Sequence, residues 1–401
     1  MDMQVFAGVC RSGSVNVDSV PTHPDRTALP KENRVFWEGL TDDERNALIR
    51  SNPEWVGGAD GLPSEVRHRA NVSRLPGEGR RLDDLVTGLR GAVRPRSRTQ
   101  VRPSQPEIDL WYAERKVKAL AKIRAVVEKS RDARLLVVDF SGQWAMAAFG
   151  VGDLDVADHI SIAVPGVDTN VDASMGVMVG EAKSLRAEGM RQLEGAGRSV
   201  ESYACVAWLG YEPPQHEGPE PFAKYLVWVK AATKRSALAG ANKLARFCDG
   251  LRVASSHVMP HLTLLGHSYG SLTVGLSLQD PHPGQPVRDA VFYGSPGVNA
   301  GDESNLGLPP EHGWVLAAPE DWITHVGRTH RFGPSPRDAH FEMLSTAAGT
   351  SPDGVERTGA TMHSDYPRNG QMSQYNMAVV AVGLYDRVVR LAVRERVDPR
   401  V

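Results

Sequence analysis

Apolar residues recur along this chain in two rhythms, and the change from one to the other divides it. Between Glu107 and Lys129, Leu110, Val117, Leu120, Ile123, Val126 and Val127 fall at spacings of three, four and seven, which predicts an amphipathic helix of several turns. From Arg134 onward the apolar runs are short and rich in β-formers: RLLVVDF, WAMAAFG, HISIAVPG, YACVAWLG, HLTLLGHS and DAVFYGS. Between several of them lie helical stretches, Gly180–Leu193 and Ala231–Phe247, long enough to cross over between parallel strands. The expected architecture is α/β, with a mostly parallel central sheet and helices on both faces. No internal repeat of fixed period is visible.

Ahead of the sheet the pattern is different. Residues 1–35 carry Pro21, Pro24 and Pro30 among polar residues and read as a disordered or docking tail. Residues 36–105 read as a helical extension ending in an Arg-rich linker. In it Thr41, with Glu44 three residues on, forms a capping box, and Pro53 ends that helix at Ser51 or Asn52. GGADGLP is expected to turn, and Ser64 with Glu65 and Val66 to open a second short helix. Arg90, Arg94, Arg96, Arg98 and Arg102 crowd the segment LRGAVRPRSRTQVRP, read as a solvated linker. Residues 106–401 are then the sheet-containing domain.

Composition narrows the classes of partner. Lys+Arg 46 against Asp+Glu 48 gives a net charge of −2, so no bulk attraction to nucleic acid or to an anionic membrane is implied. No apolar run reaches the ~18 residues of a membrane span, and the start, MDMQVFAGVCRSGS, is too poor in apolar residues for a secretory signal. Cys10, Cys205 and Cys248 show no paired spacing, which points away from disulfides or a zinc site and toward the cytoplasm.

The candidate chemistry centres on LTLLGHSYGS, where Ser268 stands between Gly266 and Gly270 after an apolar run and before the helix expected over Ser271–Leu278. A serine hydroxyl is a weak nucleophile and needs a base, a group to orient that base, and donors for the oxyanion. A tight strand-to-helix turn of Gly-x-Ser-x-Gly type supplies the exposed nucleophile, with the acid and then the histidine following in the chain. His363, in a polar loop before a final apolar helix, is the expected base. Asp321, at the exit of a strand over Val315–Ala318, is the preferred acid, with Glu320 the near alternative and Asp338, Asp353 and Asp365 left open. Backbone N–H groups of Tyr269 and of Gly166 or Val167 are the expected oxyanion donors. His325, His330 and His340 match no metal-ligand spacing.

Taken together and in order, LIRSNPEWVGGADGLPSEVRHRAN, VPGVDT, GHSYGS, FYGSPGV and HSDY resemble an actinobacterial α/β-hydrolase family long catalogued as a domain of unknown function. The resemblance spans roughly Trp37 to Gly383. It implies an α/β-hydrolase fold carrying Ser268 as nucleophile, His363 as base and the Pro165-Gly166 turn as oxyanion loop. The acid near EDWIT departs from the usual wording of the family. The activity expected is that of a serine hydrolase acting on a small-molecule or lipid-like carboxylic ester without cofactor or metal. Acyl transfer by the same triad and a non-catalytic binding role are the rivals. YEPPQHEGPEPFAKYL reads as a lid or a long surface loop, and the helical extension as a cover for either the site or a sheet edge.

Overall fold

The computed structural model describes residues 21–25, 27–95, 102–219, 227, 231–280, 286–326, 331–336 and 339–391. Eight strands form one sheet: β1 (Ala133–Asp139), β2 (Met146–Val151), β3 (His159–Val164), β4 (Tyr203–Leu209), β5 (His261–His267), β6 (Val287–Tyr293), β7 (Gly313–Leu316) and β8 (Glu342–Leu344). Their order is β1-β2-β4-β3-β5-β6-β7-β8. β2 runs antiparallel to β1 and β4, and all other neighbours are parallel. Every residue of β4 is buried, as expected of a parallel strand covered on both faces.

The helices are α1 (Pro30–Glu38), α2 (Asp42–Ser51), α3 (Pro53–Gly58), α4 (Ser64–Ala92), α5 (Gln105–Lys129), α6 (Val171–Gly195), α7 (Arg235–Ala254), α8 (Tyr269–Leu278), α9 (Ile323–Val326) and α10 (Met372–Ala381). α6 packs on α10, and α7 on α8. Alternation along β5 separates these pairs: Leu265 and His267 point into a cavity under α6 and α10, whereas Gly266 lies against Ser271 of α8. Among the described residues no helix is long and apolar enough to cross a membrane.

Three expectations for the first hundred residues need correction. Helix α1 begins at Pro30, inside the segment read as tail; proline suits the first helical turn, and Glu32 caps it by accepting from the Leu29 N–H at 2.7 Å. The GGADGLP turn is shorter than expected, because Gly57 and Gly58 close α3. The second short helix is instead the 29-residue α4, with Pro76 inside it. Pro76 forfeits one backbone hydrogen bond, but buried Leu75, Gly79, Leu82 and Val86 keep one stripe against α5 through the break. Arg96 and Arg98 lie outside the described residues.

Helix α4 also covers an edge of the sheet. β1 has a neighbour on one side only, and its outward backbone groups are taken by α4 side chains. The Leu135 N–H donates to His68 Nδ1 at 2.9 Å, Asn71 donates to the Leu135 carbonyl at 3.1 Å, and Arg67 to the Leu136 carbonyl at 3.0 Å. An open strand edge is a template for unwanted pairing, and the N-terminal helices close this one.

Candidate active site

Ser268 occupies the step from β5 into α8 with φ 53° and ψ −127°, a left-handed conformation that costs a non-glycine residue about 1–3 kcal/mol. Its surroundings hold it there. The Ser268 N–H donates to the Tyr293 carbonyl at 3.0 Å, and its carbonyl accepts from the Ser271 N–H at 3.0 Å and the Ser271 hydroxyl at 2.5 Å. Both flanking glycines are required sterically. A Cβ at Gly270 would stand 2.3 Å from the Val164 carbonyl oxygen, and one at Gly266 2.7 Å from Ser271 Cα.

Asp321 and His363, 42 positions apart, meet side by side. His363 Nδ1 donates to the Asp321 carboxylate at 2.9 and 3.0 Å, which leaves Nε2 as the ring nitrogen able to accept a proton. Asp321 is fully buried, whereas Glu320 is exposed and makes no side-chain hydrogen bond to His363. Tyr366 donates to the same carboxylate at 2.7 Å, and the Ile323 N–H at 3.1 Å. Burial pushes the Asp321 carboxyl up, but the hydrogen bonds from His363 and Tyr366 outweigh it and hold the group below the ordinary carboxylate range.

Gly294 links this pair to the serine. It follows Tyr293, whose carbonyl anchors Ser268, and has φ +58°. A Cβ there would lie 2.9 Å from Asp321 Oδ2 and 3.1 Å from His363 Nδ1. His267, immediately before the serine, adds a second link. Burial first, and then its neighbour His363, pull the His267 imidazole down to about 4, so the ring is neutral at physiological pH. Its Nε2–H donates to the His363 carbonyl at 2.8 Å and its ring lies 4.7 Å from that of His363. Asp365, one of the acids left open, braces the same loop by accepting from the Thr361 N–H at 3.2 Å and the Met362 N–H at 2.8 Å.

The turn expected to hold oxyanion donors lies against the serine. A Cβ at Gly166 would come within 2.6 Å of Ser268 Cβ and 3.0 Å of Oγ, so only glycine allows this approach. Val167 follows it, and Tyr269 supplies the first N–H of α8. The Tyr269 hydroxyl is directed elsewhere, donating to the Thr233 carbonyl at 2.7 Å. The start of the segment read as a lid or a long surface loop clasps this turn: Tyr211 donates to the Pro165 carbonyl at 2.5 Å and Gln215 to the Thr169 carbonyl at 2.8 Å. The rest of that segment, 220–226, lies outside the described residues.

Other flagged residues stand apart from this assembly. Asp353 belongs to an ion-pair network with Arg191 and Arg357. His325 sits in α9 and His340 just before β8, while His330 and Asp338 fall outside the described residues. No group of three potential metal-ligating side chains forms among the described residues. Tyr211, His267, Gly294 and Tyr366 carried no assigned role in the sequence, although FYGSPGV and HSDY contain two of them.

Comparison with known proteins agrees with this architecture. A family model described as alpha/beta hydrolase matches residues 141–331. The uncharacterized protein Rv0963c of Mycobacterium tuberculosis is 32% identical over 249 residues, covering 61% of this chain and 88% of its own length. Rv2079 of the same organism is 27% identical over 368 residues; the match covers 88% of this chain and about half, 53%, of that relative. Among solved structures, dienelactone hydrolase from Anabaena variabilis aligns over 65% of this chain and 100% of its own, at 10% identity and a TM-score of 0.35. An arylesterase covers 70% and 98%, also at 10% identity and a TM-score of 0.35; likenesses this remote carry no argument about the reaction. With the sheet order, the matched model and the mycobacterial relative in agreement, the chain belongs to the alpha/beta hydrolase family.

Proposed function

We propose that the protein hydrolyses a carboxylic ester through an acyl-enzyme formed on Ser268. The observation that carries this reading is the hydrogen-bonded Asp321–His363 pair held beside a left-handed Ser268 whose hydroxyl faces the Gly166 turn. His363 Nε2 takes the hydroxyl proton as Ser268 Oγ bonds to the ester carbonyl carbon. The Tyr269 N–H and an N–H of Gly166 or Val167 receive the developing oxyanion. The tetrahedral species then collapses, the C–O bond to the alcohol breaks, and His363 returns the proton to the leaving oxygen. Water repeats the sequence, giving up a proton to His363 while it attacks the acyl carbon, and the acid departs with Ser268 restored. Asp321 keeps the imidazole in the tautomer this requires and stabilises its cationic form. A fluorophosphonate serine probe with peptide mapping tests the first step, and a series of para-nitrophenyl esters the whole. Adduct at Ser268 with ester turnover is expected; a probe that leaves Ser268 unmodified in protein that turns over no ester overturns the proposal.

A further inference from the structure

A cavity of about 310 Å³ lies between α6, α10 and the sheet, within the size range of small-molecule sites. It shares its rim with the candidate active site. Pro165 begins the turn against Ser268, His267 precedes the serine, and Ser364 follows His363; all three line it. Val177, 61% exposed, stands at its opening. One stripe of α6 forms a wall, through Ser174, Met178, Glu181 and Leu185. Glu181 follows Val177 by four residues, about one turn or ~6 Å further along α6 from the opening.

Several polar groups in this cavity are already paired. Ser161 bonds to Tyr203 at 2.7 Å and to Cys205 at 3.3 Å, and Gln374 donates to Ser184 at 2.8 Å. Among the described residues the Glu181 carboxyl and the Tyr293 hydroxyl are among the lining groups that have no hydrogen-bond or ion-pair partner. Tyr293 is 94% buried, being 6% exposed, and burial first, then the Glu181 charge, raises its phenol. Glu181 is the only acidic or basic side chain among the lining residues apart from neutral His267, and no lysine or arginine lines the cavity. A partly buried carboxylate without a counter-charge is costly. A ligand cation here would meet both the carboxylate and the phenol, whose ring adds cation–π attraction.

We infer that this cavity receives the acyl portion of the substrate and that Glu181, with the Tyr293 hydroxyl, selects an acyl chain ending in a primary ammonium group. Assignment of the occupant to the substrate rests on the Ser268 reading; the cation site itself does not. Burial alone pushes the Glu181 carboxyl up to about 7. Below that pH the empty site is protonated and an entering ammonium must displace the proton, so affinity falls up to tenfold per pH unit; above it, affinity levels off. The other titratable groups facing the cavity do not change charge across this window: His267 titrates at about 4, Cys205 at about 11, and Tyr293 well above its ordinary value. His363 is next to the rim residue Ser364, so binding is measured separately from turnover.

The test pairs para-nitrophenyl ε-aminocaproate with the isosteric heptanoate, and n-hexylammonium with n-hexanol. In the folded Glu181→Gln protein, kcat/KM for the aminocaproate should drop about 10- to 100-fold while that for the heptanoate changes by less than about threefold. In calorimetry on Ser268→Ala protein, which needs no turnover, hexylammonium should bind more tightly than hexanol and lose this advantage on addition of Glu181→Gln. Tyr293→Phe gives a second handle, weakening hexylammonium by about three- to tenfold. Equal effects of Glu181→Gln on both esters overturn the inference and leave the hydrolase reading intact. Glu181-dependent hexylammonium binding in a protein that cleaves neither ester overturns the Ser268 reading and keeps the cation site. Hexylammonium binding that ignores Glu181, Tyr293 and pH overturns the site.

Discussion

The two ends of the same strands each hold a buried aspartate bonded to histidine and tyrosine, and they differ in what is left unspent. At the carboxyl end, Asp321 receives His363 and Tyr366, and His363 keeps Nε2 for another partner beside a strained serine. At the amino end, Asp289 is equally buried and accepts from His261 at 2.6 Å, His312 at 2.9 Å, Trp314 at 2.9 Å and Tyr385 at 2.7 Å. His261 is spent on its other side too: its Nδ1 meets Nδ1 of His159 at 2.9 Å, and His159 Nε2 bonds Glu201 at 2.7 Å. A histidine–aspartate pair is therefore no site by itself. Chemistry needs a ring nitrogen with no structural duty, a nucleophile next to it, and the strand ends at which open α/β sheets gather ligands.

The sharpest way to break this comparison is to remove the nucleophile. Ser268→Ala should reduce kcat on a cleaved ester by about 10⁴-fold or more. The melting temperature should hold or rise slightly, because the left-handed strain is not relieved but no buried bond of the side chain is lost. Wild-type turnover in that variant removes the serine from the mechanism. Asp321→Asn comes next: the amide can present N–H to His363 and favour the wrong tautomer, so kcat should fall on the order of 10³- to 10⁴-fold. An Asp321→Asn enzyme near wild type beside a crippled Glu320→Gln would transfer the role to Glu320.

The contrasting end predicts the opposite division between rate and stability. Burial pushes the Asp289 carboxyl up, but the hydrogen bonds from His261 and His312 outweigh it and bring the group down to about 2. A carboxyl depressed on folding stabilises the protein above its unfolded value near 4, and that contribution is lost as pH falls from about 4 to about 2. Asp289→Asn should therefore cost roughly 2–4 kcal/mol near neutral pH, a gap that closes over the same acid range. Denaturant titrations at several pH values measure it. Folded variant should retain kcat within about threefold, since nothing in this cluster touches the serine or its base; a large loss of kcat in folded protein would join the two ends into one functional unit.

What could be read from the sequence follows the reach of each constraint. The strand runs and the glycines around Ser268 were legible because pleat, turn and close approach act over a few residues: Gly266 and Gly270 are demanded by atoms at Ser271 and Val164. Helix α4 was misread because Pro76, Gly77 and Gly79 are local breakers, whereas the buried stripe that carries the helix past them faces α5 and is tertiary. The hold of Tyr211 on the turn beside Ser268 went unread because its partner, Pro165, lies 46 positions away. The Asp289 cluster was invisible for the same reason: its histidines and tyrosine arrive from three other segments. Glu181 looked like one more polar residue on a crossover helix, and only the cavity in front of it distinguishes it from a solvated one.

The smallest expected effect probes a feature that both ends share, a tyrosine on the carboxylate. Tyr366 donates to Asp321 Oδ2 at 2.7 Å and in turn accepts from the Ala318 N–H at 2.8 Å. Tyr366→Phe removes one of the bonds that holds the acid low but leaves His363 bonded to both carboxylate oxygens, so kcat should fall only about three- to tenfold, with KM nearly unchanged. The direction of the pH effect follows from the same bond. Asp321 is held below its ordinary value by His363 and Tyr366 against burial; without the phenol its folded value rises, and inactivation on acidification should begin at a higher pH than in the wild type. A merely structural tyrosine would lower the melting temperature through the orphaned Ala318 N–H and leave the pH profile where it was. A shifted acid limb with kcat reduced by this modest factor would mark Tyr366 as a positioning residue that acts through Asp321, and would distinguish it from Tyr385, whose removal should alter stability alone.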